Sequence, residues 1–268
     1  EVTLDNVTDS FANVQSIHNL TPTEDGADGV DLTAAAITIT DPVSLEQTNT
    51  ANGFSDGLIT LNSVIDSYDD LIAIDAIDSA QVTMANAAVQ VTDEVNLSKV
   101  SELRADTTGD ITVDEVKDNK ENLNKINSFQ IQRGSQQQRI NGDVILSNSD
   151  ITVTDVVNKS EAVTINAYND QGGTVTLTSV TDLLNNVNDL STTAGISIAT
   201  SDLKVTDTTT LADATVLNGY TTGEVTLDNV TDSFANVQSI HALTPTENGA
   251  DGVDSVSYTH LTLPTTVF

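Results

Sequence analysis

Residues 203–227 read LKVTDTTTLADATVLNGYTTGEVTL, and this stretch decides the fold. Leu203 and Val205 alternate with Lys204 and Thr206, the pattern of a half-buried strand, and Asp207 closes the run. Leu211, Ala214 and Leu217 follow at a spacing of three, which lines one face of a helix only two to three turns long. Thr221-Thr222-Gly223 then stops the helix and turns the chain, and Val225-Thr226-Leu227 opens the next strand. An Asp at the head of an apolar stripe is predicted to cap that helix, its carboxylate accepting from the free first-turn amides and favoured by the dipole.

The same unit recurs outward in both directions. Short β-type runs end at Asp9, Asp41, Asp66, Asp93, Asp118, Asp155, Asp182, Asp207 and Asp232, with a modal step of 25 residues. Apolar residues follow each Asp at helical spacing, as Phe234, Val237 and Ile240 do after Asp232, or Leu184, Val187 and Leu190 after Asp182. Gln171-Gly172-Gly173 and Thr107-Thr108-Gly109 supply further turns. Strand, helix and strand in succession favour parallel pairing through right-handed crossovers. The predicted fold class is therefore α/β, a repeat solenoid of about nine βα units, each leaning on its neighbours because so short a helix is marginal alone. Ile/Val inward and Thr outward, as in Ile151-Thr152-Val153-Thr154, imply one covered and one solvated sheet face. Two arrangements satisfy the pattern: every strand in one sheet, or two βα halves closing one coil of some 52 residues.

A longer period encloses the short one. Residues 1–31 and 224–254 match at 29 of 31 positions, differing only at Asn19/Ala242 and Asp25/Asn248. The chain is read as just over one 223-residue period of a tandem array, with both ends expected to be artificial cuts. Residues 1–254 form the predicted solenoid. After Asp254 the copies part abruptly, and SVSYTHLTLPTT (255–266) resembles the translated end of a transposon-based sequencing-library adapter. Residues 255–268 are set aside as a non-native tail.

Composition narrows the function. Forty acidic residues against nine basic ones give a net charge of −31, and Cys is absent. Disulfide scaffolds, Cys-ligated zinc and thiol nucleophiles are excluded. So acidic a surface repels phosphate backbones and anionic lipid heads, which argues against nucleic-acid partners and membrane association. No apolar run approaches the roughly 20 residues of a membrane helix.

The sharpest metal candidate is residues 24–31, Glu-Asp-Gly-Ala-Asp-Gly-Val-Asp, with its copy at 247–254. Carboxylates separated by glycines can wrap a hard cation, so Asp28, Asp31, Asp251 and Asp254 are the candidate calcium ligands. Acids at steps of three depart from an EF-hand loop, however, and a solvated acidic turn is the alternative. The glycine-rich nonapeptide of calcium-binding β-rolls does not occur. His18 and His241 occupy one repeat position and lack a His or Cys partner in sequence. No GxSxG, HExxH or phosphate-binding loop is present, and no catalytic or cofactor-binding residue is assigned. Outward pairs such as Thr38/Thr40 and Thr152/Thr154 are reminiscent of ice-binding solenoids, but Asp114 and Lys204 interrupt the array. The basic segment 117–139 is read as a counter-charge patch that contacts solvent or an acidic neighbouring repeat.

The Val/Thr/Asp-rich units, typified by DITVTDVVNKSEAVTINA (150–167) and residues 203–227, resemble repeats of very large bacterial surface or secreted proteins, cyanobacterial ones among them. That resemblance implies an exported, non-enzymatic, structural or adhesive region at the cell surface or outside the cell. Its implied partners are neighbouring repeats of the same chain, and cell-surface components or glycans. Expectations of other classes are a calcium-dependent binding module and, less favoured, a polysaccharide-active solenoid enzyme or an ice-binding surface.

Overall fold

The computed structural model describes residues 2–20, 29–128, 143–243 and 252–255. In chain order these form β1 (Val2–Thr3), β2 (Asn6–Asp9), α1 (Phe11–His18), β3 (Val30–Asp31), β4 (Ala36–Val43), α2 (Leu45–Asn52), β5 (Ile59–Asp66) and α3 (Tyr68–Asp75). There follow β6 (Val82–Thr83), β7 (Ala88–Val95), α4 (Leu97–Asp106), β8 (Ile111–Asp118), α5 (Lys120–Ser128), β9 (Val144–Ile145), β10 (Asp150–Val157) and α6 (Lys159–Asn166). The last are β11 (Val175–Asp182), α7 (Leu184–Leu190), β12 (Ile196–Ser197), β13 (Asp202–Thr209), α8 (Leu211–Asn218), β14 (Glu224–Val230), α9 (Phe234–His241) and β15 (Gly252–Ser255). The fold is α/β, with parallel strands alternating with short helices in a solenoid-like repeat. Two compact units divide it: Glu1–Val116 with Lys125–Leu146, and Lys117–Asn124 with Ser147–Phe268.

In the first unit the parallel order is β2-β4-β5-β7-β8, and β1 pairs separately with β3. In the second it is β10-β11-β13-β14-β15. Within each unit, then, the strands of successive repeats join one sheet. The sheet strands fall into two alternating classes. β4, β7, β10 and β13 each carry a two-for-one bulge, placed at Thr40-Asp41, Thr92-Asp93, Thr154-Asp155 and Thr206-Asp207. β5 and β11 run to their Asp without one.

Alternation along each strand buries one face. Ile37, Ile39, Ile59, Leu61, Ile151, Val153, Val175 and Leu177 are fully buried, while Thr38, Thr60, Thr152 and Thr176 between them are half-exposed. Several helices add two apolar residues to that core: Leu71 and Ile74 from α3, Val100 and Leu103 from α4, Val187 and Leu190 from α7. The expected three-residue stripe is thus two residues deep. Its first member sits at the first helical position, half-buried in Tyr68, Leu97, Leu184 and Leu211, because that residue lies at the corner rather than over the sheet.

Three of the turns that return a helix to the sheet interlock with the strand before. Thr107 Oγ1 donates to the Ala87 carbonyl at 2.6 Å and accepts from the Gly109 amide at 3.0 Å. Ser55 with Gly57, and Thr221 with Gly223, repeat the motif on Ala35 and Ser201. A Cβ on Gly109 would lie 2.0 Å from the Ala87 carbonyl oxygen, so no side chain fits there. Gly53, a helix C-cap with φ −78°, meets its nearest atom at 3.3 Å. Gly109→Ala is therefore expected to destabilise by roughly 1–3 kcal/mol or more in urea unfolding, with Gly53→Ala costing less than about 1 kcal/mol.

Candidate functional site

The repeated aspartates form the most regular polar arrangement in the chain, and their partners differ from the sequence expectation. The caps are the residues after them. Ser10, Ser67 and Ser233 follow their Asp directly, whereas Ser44, Asn96, Asn158 and Thr210 stand three residues on; each accepts from its helix's third amide. α7 has Leu183 at its N-cap and no side-chain cap bond. The aspartates reach backwards instead.

Seven of these carboxylates receive the first helical amide of the unit before. Phe11 N–H donates to Asp41 at 2.7 Å, Leu45 to Asp66 at 2.9 Å, and Tyr68 to Asp93 at 2.6 Å. Lys120 donates to Asp155 at 2.8 Å, Lys159 to Asp182 at 2.8 Å, Leu184 to Asp207 at 2.7 Å, and Leu211 to Asp232 at 3.0 Å. In the bulged strands the extra residue turns the Asp towards that helix, as bulges commonly re-aim a side chain. In the unbulged class the second oxygen serves the Asp's own unit: Asp182 Oδ1 accepts from Leu183 N–H at 2.8 Å and Asn186 Nδ2 at 2.7 Å. Asp232 does the same with Ser233 and Asn236, both at 2.7 Å.

These bonds show in the acidities. Asp232 is held below the usual carboxylate range, first by the Leu211 amide, then by Asn236 and the Ser233 amide. For Asp182 burial is the largest single influence and pushes upward, yet Asn186, the Lys159 and Leu183 amides and the Lys159 charge together bring it below the ordinary value. A file of like charges on successive units is thus answered by helix N-terminal amides, the positive end of each dipole.

Of the calcium candidates, Asp31 ends β3 and its Oδ1 accepts the Thr33 amide at 2.8 Å; that bond, followed by one from the Thr33 side chain, lowers its pKa. Asp254 lies in β15 opposite Thr226. Asp28 and Asp251 fall outside the described residues, as do the tail residues 256–268. Among the described residues no group of three or more His, Cys, Asp or Glu is placed to hold a metal ion. His18 closes α1 and stacks on Phe54 with centroids 4.2 Å apart.

The outward threonines do align in places. Thr8, Thr38, Thr60 and Thr83 stand in register across β2, β4, β5 and β6, whereas Lys204 sits between Thr181 and Thr226, with its Nζ 3.1 Å from Asp228. In the basic segment Lys120 pairs with Glu161 of the next repeat at 2.9 Å, a bond that raises the lysine pKa and lowers the glutamate's. Glu46, Asp66 and Asp70 share an open groove of about 500 Å³ with Ser44, Leu45 and Asn49, and no aromatic ring lines it. Among the described residues no helix is long and apolar enough to cross a membrane. Comparison with protein-family models, characterised proteins and solved structures gives no match.

Because Asp182 and Asp232 titrate lower folded than unfolded, their stabilisation is complete above the unfolded value of about 3.9 and disappears as pH falls through the folded value. Protonation also relieves the repulsion of a chain at −31, so the informative quantity is a difference between proteins. Urea unfolding of the native chain and of Asp182→Asn is expected to show a stability gap at pH 6 that shrinks towards zero between pH 4 and lower values. A gap that widens on acidification would contradict these assignments.

Proposed function

We propose that the chain is a non-catalytic structural or adhesive repeat region, which spaces or displays other modules of a very large bacterial protein at the cell surface or outside the cell. One observation carries the reading: the two near-identical copies hold the same register. Val2 pairs with Val30 and Thr3 with Asp31 at one end, Val225 with Val253 and Thr226 with Asp254 at the other. A duplication of 223 residues therefore adds a whole number of strand–helix units, eight steps of the Asp series, with no break of phase. Length can change while every local contact is kept.

Further support comes from where the polar groups point. The repeated carboxylates spend their hydrogen bonds on the chain's own amides, so their periodicity has a structural cause without a ligand. Neighbouring repeats of the same chain are the first partners in this reading, with cell-surface components or glycans as the targets of any modules it carries. High negative charge keeps such an array soluble and apart from its copies.

Small-angle scattering on chains of one, two and three long periods tests the proposal. The maximum dimension is expected to rise by a constant increment per copy, on the order of 40 Å for eight strands about 4.8 Å apart. Calcium and a chelator are expected to leave both the dimension and the melting temperature unchanged. Compact growth with copy number overturns the spacer reading. A calcium-dependent rise in melting temperature that Asp31→Ala abolishes would replace it with the calcium-dependent module.

A further inference from the structure

Residues 11–18 and 234–241 are the same eight amino acids, FANVQSIH, placed in two settings. In α1, Val14 is fully buried, while Ile17 is half-exposed. In α9 the burial is reversed: Ile240 is 1% exposed, Val237 is half-exposed and Phe234 is 63% exposed. One and the same helix thus presents two faces. Ile17/Ile240 meets the unit before it, and Phe11/Phe234 with Val14/Val237 meets the unit after it.

What covers the second face is visible at α1. The Asp41 carboxylate accepts the Phe11 amide at 2.7 Å, and the Phe54 ring stacks 6.4 Å from Phe11 and 4.2 Å from His18. The covering groups, Asp41 and Phe54, both belong to residues 32–57. At α9 the Phe234 amide has no hydrogen-bond partner among the described residues, although its counterparts in seven other helices donate to an Asp of the following unit. In the sequence, at the 223-residue offset, Ser255 stands where the first copy has the buried Leu32, and Pro264 where it has Asp41.

We propose that the Phe234–Val237 face of α9 is the seat of one further repeat unit of the sequence type of residues 32–57, which supplies a carboxylate to the Phe234 amide and an aromatic ring to Phe234. The occupant is fixed by identity: the same eight residues are covered by that sequence at α1. Continuity of the helix row and the matched register of β14 with β15 place the unit directly after Asp254 in the repeat. The inference rests on the spacer reading but fails separately from it.

The test is a chain in which residues 255–268 are replaced by the sequence of residues 32–57, compared with the chain as it stands. Hydrogen exchange at the Phe234 amide is expected to slow at least about tenfold, as for a newly formed charge-assisted bond, and the melting temperature to rise. Introducing Asp41→Ala in the appended copy alone is expected to return the Phe234 amide to fast exchange while the melting gain is partly kept. Unchanged exchange at Phe234 and an unchanged melting temperature would overturn the proposal. If the scattering series still lengthened by a constant step, the spacer reading would stand without it; failure of that series with Phe234 protected would sink the spacer reading alone.

Discussion

A carboxylate that reaches back to the preceding helix is the constraint on which the rest of this structure depends. The helices are 7–10 residues long, too short to persist in water unaided. Burial of one or two side chains per helix, each large apolar one contributing roughly 1.5–3 kcal/mol, supplies most of the local stability. A cap bond adds only about 1 kcal/mol. Packing on a row of Val, Ile and Leu tolerates sliding, however, and a hydrogen bond between a named amide and a named oxygen does not. The Asp contacts therefore set the position of each helix against the next strand, and burial holds it there.

The same contacts reconcile regular geometry with a net charge of −31. Carboxylates repeated once per unit would repel one another if solvent were their only partner. Here each points at the start of a helix, where unpaired amides and the dipole favour negative charge. The unbulged class goes further, binding the unit before through one oxygen and its own unit through the other, as at Asp182 and Asp232. A chain built this way grows by repetition, since each unit carries both the donor for the next and the acceptor for the last.

Much of the fold was legible because hydrophobic spacing switches from two to three around each Asp, and glycine turns such as Thr107-Thr108-Gly109 and Thr221-Thr222-Gly223 mark several returns. The partner of the Asp was not legible, since local capping and reaching back across some 21–35 residues leave the same trace in one repeat. A signal did exist. Ser10, Ser67, Asn119 and Ser233 follow their Asp directly, while Ser44, Asn96, Asn158 and Thr210 come two residues later, and that delay is the bulge written in sequence. Pro42, inside β4, is another trace of it, being tolerated where the ladder is interrupted. Of the candidate ligands, only Asp31 has a described side-chain partner, and that partner is a turn amide; the acidic spacing alone carried no information on which amide each oxygen meets.

Native-state hydrogen exchange on Asp93→Ala tests the backward-reaching contact most directly. Asp93 lies before α4, yet its oxygen accepts the Tyr68 amide at the start of α3. Loss of the carboxylate should free the Tyr68 amide and loosen the first turn of α3, leaving the Lys99 amide protected by Asn96 in α4. Fraying of α4 with Tyr68 still protected would contradict the stapled arrangement and restore simple capping of each helix by the Asp before it.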